Sequence, residues 1–515
     1  MGKKYPIGIQ NFEKIRKDGY FYIDKTTLVY QLVKSGGYYF LSRPRRFGKS
    51  LLISTLEAYF QGKKEIFEGL AMEKLEKDWI KYPVLHIDLN TQKYDTPESL
   101  DKILNDTLAY WESQYGTRPS ETTLSLRFAG IIQRACEQTG QRVVILIDEY
   151  DKPMLQAIGN EQLQESFRST LKSFYGALKS KDGYIKFAML TGVTKFGKVS
   201  VFSDLNNLED ISMWNEYDEI CGISDREIHE NLEAELHEFA KAQGVTYEAI
   251  CDKLKEYYDG YHFTHNSIGM YNPFSLLIAF KRKEIGSYWF ETGTPTYLVK
   301  LLKKHHYNLE RMANEETDAD VLNSVDAEST NPIPVIYQSG YLTIKGYDAR
   351  FGSYRLGFPN REVEEGFIRY LLPFYADTDK VEAPFQITQF VREVESGDYD
   401  SFLRRLQSFF ADTPYELVRD LELHYQNVLF IVFKLIGFYV KAEYHTSQGR
   451  IDLVLQTDRF IYVMEFKLDG TAEEALRQID EKKYALPFAT DPRQLFRIGI
   501  NFSNEMRNIE RWVVE

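Results

Sequence analysis

Four apolar runs rich in β-formers, GYYFLSR (37–43), YPVLHIDLN (82–90), RVVILIDEYD (142–151) and YIKFAMLTGVT (184–194), are separated by helical stretches in the first two hundred residues. Their hydrophobicity is continuous rather than alternating, which requires burial on both faces. Strands of that kind alternating with helices form a parallel sheet covered by helices on both sides. The expected fold class is therefore α/β, with a doubly wound N-terminal domain.

From Ser224 the sequence turns charged and helical, and Ser224 followed by Glu227 predicts a capping box that opens this region. Between 335 and 367, two short strands joined by a Gly-containing turn and followed by a helix predict a small winged-helix-like unit. After a polar, acidic stretch around 375–400, the C-terminal part reads as another α/β unit. The expected divisions are 1–223 for the first α/β domain, 224–330 for a helical region, 331–378 for the winged-helix-like unit and 379–515 for the last domain.

A net charge of −13, from 63 Lys and Arg against 76 Asp and Glu, argues against nucleic-acid or membrane binding by the surface as a whole, and leaves room only for a local basic channel. Cys136, Cys221 and Cys251 form no C-x-x-C pair and read as reduced, buried thiols of a cytoplasmic protein. The N-terminal MGKKYPIGIQNFEKIRKDGY has no apolar signal core. The run VLFIVFKLIGFYV (428–440) is too short for a membrane span and carries Lys434, so no membrane association is expected.

The segment LSRPRRFGKS (41–50) ends like a phosphate-binding loop but has Arg43 where the first glycine usually stands. Glycines serve the turn, whereas the charge contacts come from backbone N–H groups, a lysine and a hydroxyl. Arg45, Arg46, Phe47, Gly48, Lys49 and Ser50 are accordingly the nucleotide-binding loop. Gly48 allows close approach, Lys49 meets the β- and γ-phosphates, and Ser50 ligates Mg²⁺. Arg43, Arg45 and Arg46 add positive charge, and Pro44 stiffens the loop. A second element supports this: VVILID ends in Asp148, expected at the metal, and Glu149, expected to polarise the attacking water. Thr191 and Thr194 end a further strand, and one of them is a candidate contact for the γ-phosphate or the water.

A second site is expected near the C-terminus. YVKAEYH, RIDLVLQ and FIYVMEFKL are strands between a helix beginning near Tyr415 and a helix holding Arg477 and Gln478, the element order of a restriction-endonuclease-like core. Asp452 lies on one strand, and Glu465 and Lys467, two residues apart on the next, share a face. Two carboxylates can hold a divalent cation while the lysine orients the attacking water. Glu422 on the preceding helix is a candidate further metal or water contact. Arg450, Lys467, Arg477, Lys482 and Lys483 supply local positive charge for a nucleic-acid substrate, with an ordinary mixed-charge surface as the alternative.

The stretches YPIGIQNFEKIRKDGYFYIDKT, FLSRPRRFGKSLLISTL, VVILIDEYDKP, LTGVTKF, VFSDLNNLEDIS and YYDGYHF with MYNPFSLL resemble the bacterial predicted AAA-ATPase-like family, whose members commonly carry a C-terminal PD-(D/E)XK nuclease-like domain. The resemblance spans nearly the whole chain, and RPRRFGKS is that family's own loop. It implies ATP and Mg²⁺ as cofactors and a helical lid over the nucleotide. Gln478 resembles the polar helix residue that supports many nuclease sites of this kind. AAA-like assemblies use an arginine finger, which makes a homo-oligomer a candidate partner. Arg226 is one candidate finger, with a surface arginine as the simpler reading.

These observations predict an ATP-binding, ATP-hydrolysing protein coupled to a Mg²⁺-dependent nuclease acting on nucleic acid. The alternative is a nucleotide-dependent switch or scaffold that binds nucleic acid or a protein partner without cutting. The sequence offers no G-x-S-x-G elbow and no metal-spaced histidines among its nine His for other hydrolase chemistry.

Overall fold

A computed structural model describes residues 2–195, 205, 207–290, 296–323, 331–376, 383–411, 421–447 and 450–515. The chain forms two compact units, Met1–Leu298 with Glu315–Val363, and Val299–Asn314 with Glu364–Glu515.

The first unit is built on strands β1 (Gly37–Ser42), β2 (Val84–Asp88), β3 (Val143–Asp148), β4 (Ile185–Gly192) and β5 (Leu208–Asp210), all parallel, in the order β2-β3-β4-β1-β5. Every residue of β3 is buried, as are five of six in β1 and seven of eight in β4, so neither face of the three central strands meets water. The unbroken apolar runs therefore do form a two-sided parallel sheet. Helix Lys49–Phe60 follows β1 directly and packs on β2, β3 and β4, while helix Leu124–Thr139 packs on β3 and against Pro97–Tyr115 and Glu161–Ser180.

A second core of the same unit gathers Leu232, Leu236, Phe239, Ile250, Leu254 and Leu276 from helices Asp225–Gln243, Tyr247–Tyr258 and Pro273–Arg282. The capping box forms at its start: Ser224 Oγ accepts the Glu227 amide and Glu227 Oε2 accepts the Ser224 amide. Lys25 grips both oxygens of Glu227 at 2.6 and 2.7 Å, tying the N-terminal segment to this helix. Short strands β6 (Ile223–Ser224) and β7 (Met270–Tyr271) pair beside it. Between 335 and 367 the hairpin and helix expected from the sequence are present: β9 (Thr343–Asp348) pairs with β10 (Ser353–Gly357), helix Arg361–Tyr375 follows, and β8 (Glu315–Asp318) adds a third antiparallel strand.

Arg43 departs from expectation. Rather than adding charge to the loop surface, its guanidinium is buried. It donates to the carbonyls of Ser42 (2.9 Å), Ser212 (2.8 Å) and Tyr217 (3.1 Å) and lies 4.0 Å from the Phe263 ring centroid. Burial pushes its pKa down from the ordinary arginine value. Arg43 thus pins the end of β1 to a segment some 170 residues away. Replacing it with methionine keeps apolar volume but strands three carbonyls, and should lower stability by about 3 kcal/mol, measurable by urea unfolding.

The second unit carries a five-stranded sheet in the order β11-β12-β13-β14-β15, formed by β11 (Lys441–Ser447), β12 (Arg450–Gln456), β13 (Phe460–Leu468), β14 (Gln494–Ser503) and β15 (Asn508–Val514). Only the β13–β14 pair is parallel. Parallel neighbours need a crossover, and helix Ala472–Glu481 supplies it, packing on both strands. Helix Leu421–Gly437 precedes β11; the expected start near Tyr415 lies outside the described residues. Among the described residues, no helix is long and apolar enough to cross a membrane. All three cysteines are free, Cys221 buried and the other two half-buried.

Candidate functional sites

The loop between β1 and helix Lys49–Phe60 turns through two left-handed residues, Arg46 (φ 67°) and Gly48 (φ 101°). Nothing lies within 4 Å of where a Cβ on Gly48 would sit, so glycine is needed there for its backbone angle rather than for space. The loop lines a cleft of about 390 Å³ with Arg45, Arg46, Gly48, Lys49 and Ser50. Phe47 points the other way, into the core, edge-on to Tyr261 and Phe263. Its side chain is an anchor and walls a neighbouring apolar recess rather than this cleft.

Lys49 is 3% exposed, and its ammonium donates to the carbonyls of Arg43 (3.1 Å) and Pro44 (3.3 Å), with Glu149 Oε1 at 3.5 Å. Asp148, at the end of β3, is buried and hydrogen-bonded by the hydroxyls of Ser50 and Thr191, the latter at 2.6 Å. Burial and the neighbouring Glu149 raise its pKa above the usual carboxylate range, while those two hydroxyls and Lys49 oppose the rise. Glu149 reaches the cleft from a left-handed backbone (φ 54°), a strained state for a residue other than glycine.

The structure brings Lys49, Ser50, Asp148 and Glu149 together at the C-terminal ends of β1 and β3, where open α/β sheets bind their ligands. It gives the threonine hydroxyls to buried acids instead of the cleft. Thr191 donates to Asp148, and Thr194 to Asp151 at 2.6 Å. Arg45 lies over the Trp289 ring and Arg46 over Phe274. Arg226 sits on the surface, paired with Glu219 and Glu230.

At the second site, Asp452 and Glu465 are directly opposite each other in the β12–β13 ladder, and Arg450 is opposite Lys467. Cross-strand partners share a face, with Cβ atoms about 5 Å apart, within the span of one hydrated cation. Glu465 has no exposed surface, whereas Lys467 is half-exposed. Ile461 and Val463, on the same strand face, pack against Leu476 and Ile479, so the helix carrying Gln478 covers this face. Close docking requires Gly499, the β14 partner of Glu465, since a Cβ there would lie 2.1 Å from the Ala472 carbonyl oxygen. The side chains of Glu422, Arg450 and Asp452 lie outside the described residues. Arg477, Lys482 and Lys483 are exposed on or just after the covering helix. Among the described residues, no three His, Cys, Asp or Glu side chains form a metal-binding group.

Comparison with known proteins gives two family-model matches, "Predicted AAA-ATPase" over residues 6–202 and "PD-(D/E)XK nuclease superfamily" over residues 420–512. The chain is also 34% identical over 525 residues to a protein of Azotobacter chroococcum mcd 1 described as "Uncharacterized protein in vnfD 5'region", covering 100% of this chain and 99% of that one. The chain belongs to the predicted AAA-ATPase family. The chain also carries a PD-(D/E)XK nuclease-superfamily domain at its C-terminus. Among solved structures it matches the Aeropyrum pernix ORC2 protein, solved as ADPNP–ADP complexes, at 11% identity, 65% coverage of this chain, 87% of that chain and a TM-score of 0.25.

Several residues that line the Lys49 cleft lie in stretches that resemble the family but are not marked individually by the sequence. The N-terminal turn Pro6–Gln10, Lys152 and Phe274 all line the cleft. Next to it an apolar recess of about 100 Å³ is walled by Phe21, Ile23, Leu51, Ile220, Gly222 and Leu277, brought together from four distant segments. Lys152 alone left a local signal: Pro153 marks a helix start, so the preceding Glu149–Asp151 must form a turn whose side chains diverge.

Proposed function

We propose that the N-terminal domain, over about 1–223, binds and hydrolyses MgATP, and that its nucleotide state controls a Mg²⁺-dependent nuclease within 379–515 acting on DNA or RNA. The observation that carries the first half is the convergence of Lys49, Ser50 and Glu149 at one cleft lined by further cations, with Asp148 buried directly behind Ser50. A hydroxyl and a carboxylate are hard oxygen donors suited to Mg²⁺, so Ser50 and Asp148 would hold it; bound there it neutralises phosphate charge. Thr191 positions Asp148, and loop amides with Lys49, Arg45 and Arg46 meet the phosphates. The adjoining apolar recess fits a planar base.

Glu149 acts on the attacking water. Its exchange for glutamine keeps the shape and removes the proton acceptor. Glu149→Gln should bind labelled ATP as wild type does and turn it over about a hundredfold more slowly. Undiminished phosphate release would remove Glu149 from the reaction.

In the C-terminal domain, Asp452 and Glu465 would hold the metal and Lys467 would orient the water, with Glu422 and Gln478 as supporting groups. The register that sets the two acids opposite each other supports this assignment. The complete burial of Glu465 favours a second reading, in which the domain binds nucleic acid without cutting it and the chain works as a nucleotide-dependent switch. Plasmid nicking with Mg²⁺ or Mn²⁺, with and without ATP, separates the two.

A further inference from the structure

We infer that Lys152 is a second phosphate-binding cation of the nucleotide cleft, placed to contact the terminal phosphate. This rests on the ATP reading above and extends it to a residue outside the loop.

The turn after β3 is stapled to the end of β4. The Tyr150 amide donates to the Thr191 carbonyl (3.0 Å), and the Tyr150 hydroxyl to the Thr194 carbonyl (2.9 Å). The Asp151 carboxylate accepts the amides of Val193 (3.1 Å) and Thr194 (2.6 Å) and the Thr194 hydroxyl (2.6 Å). Tyr150 and Asp151 are thereby fully buried. The Lys152 amide closes the turn on the Glu149 carbonyl at 3.0 Å. With the two middle residues held in the core, Glu149 and Lys152 are the pair left to face the cleft, and both line it.

The loop cations proposed to meet the phosphates also have contacts within the protein. Lys49 holds loop carbonyls, Arg45 lies over Trp289, and Arg46 over Phe274. Lys152 is half-exposed and has no ion-pair or side-chain hydrogen-bond partner among the described residues. An ammonium without a partner, three residues from the group proposed to act on water, is positioned for the anion that the water attacks. Hydrolysis forms a bond from the water oxygen to the γ-phosphorus and breaks the bond to the bridging oxygen. That electron pair leaves with ADP, the water proton passes to Glu149, and inorganic phosphate is released. Lys152 exchanges no proton; it offsets charge on the γ-phosphoryl oxygens from within the same chain.

The test compares full-length wild type, Lys152→Ala and Lys152→Arg for affinity toward fluorescent ADP and a non-hydrolysable ATP analogue, and for turnover of saturating MgATP. The alanine variant is expected to keep ADP affinity within about twofold, lose roughly tenfold for the analogue and about a hundredfold in turnover, with partial recovery in the arginine variant. Wild-type turnover in Lys152→Ala, or equal losses for ADP and analogue, overturns the assignment while leaving the ATP reading intact. Absence of any nucleotide binding by wild type overturns both.

Discussion

Replacing Lys49 with alanine is expected to lower nucleotide affinity on the order of a thousandfold, which direct titration of labelled ATP and ADP will show. The ammonium is 97% buried, and its two nearest acceptors are neutral carbonyls of its own loop, with Glu149 at a longer 3.5 Å. A buried charge compensated this weakly is held for a stronger counter-anion. Triphosphate oxygens supply one, and on binding they replace the carbonyl contacts. Lys49→Arg should not restore affinity, because the larger planar guanidinium cannot enter a site closed around an ammonium. Thermal stability should change little, since the variant removes a charge together with its desolvation cost. Unaltered affinity in Lys49→Ala would detach the loop from nucleotide binding.

Glu465→Gln is expected to lower metal-dependent cleavage on the order of a thousandfold while leaving the melting temperature unchanged. The side chain sits on β13 between Met464 and Phe466 with no exposed surface. Glutamine preserves the shape and removes the negative charge, so activity and stability together separate a functional acid from a structural one. Loss of stability without loss of activity would mark Glu465 as a structural acceptor. Mg²⁺ should raise the melting temperature of wild type and leave that of the variant unmoved, a readout independent of cleavage.

How much of this was legible beforehand depends on the kind of residue. The runs that became β1 to β4 announced a two-sided sheet because short strands of unbroken hydrophobicity need both faces covered. The Ser224–Glu227 cap and the shared face of Glu465 and Lys467 were equally readable, since both follow from periodicities along one element. Even the pairing of Asp452 with Glu465 follows from a short turn between adjacent strands.

Loop side chains obey no such rule. Arg43, Arg45 and Arg46 look alike in LSRPRRFGKS, yet one is sunk among the carbonyls of Ser212 and Tyr217 while the other two line the cleft. Thr191 and Thr194 stand at the end of one strand, and the sequence does not say that their hydroxyls bond to Asp148 and Asp151. Pro6–Gln10 and Phe274 join the cleft from more than two hundred residues apart; both lie in stretches that resemble the family, yet neither stretch says which of its side chains will face the cleft. Local pattern dictates which way an element's face must turn, because burial repeats with the backbone's own period. Where a single loop side chain ends up depends on which distant segment packs beyond it, and that is settled only when the chain has folded.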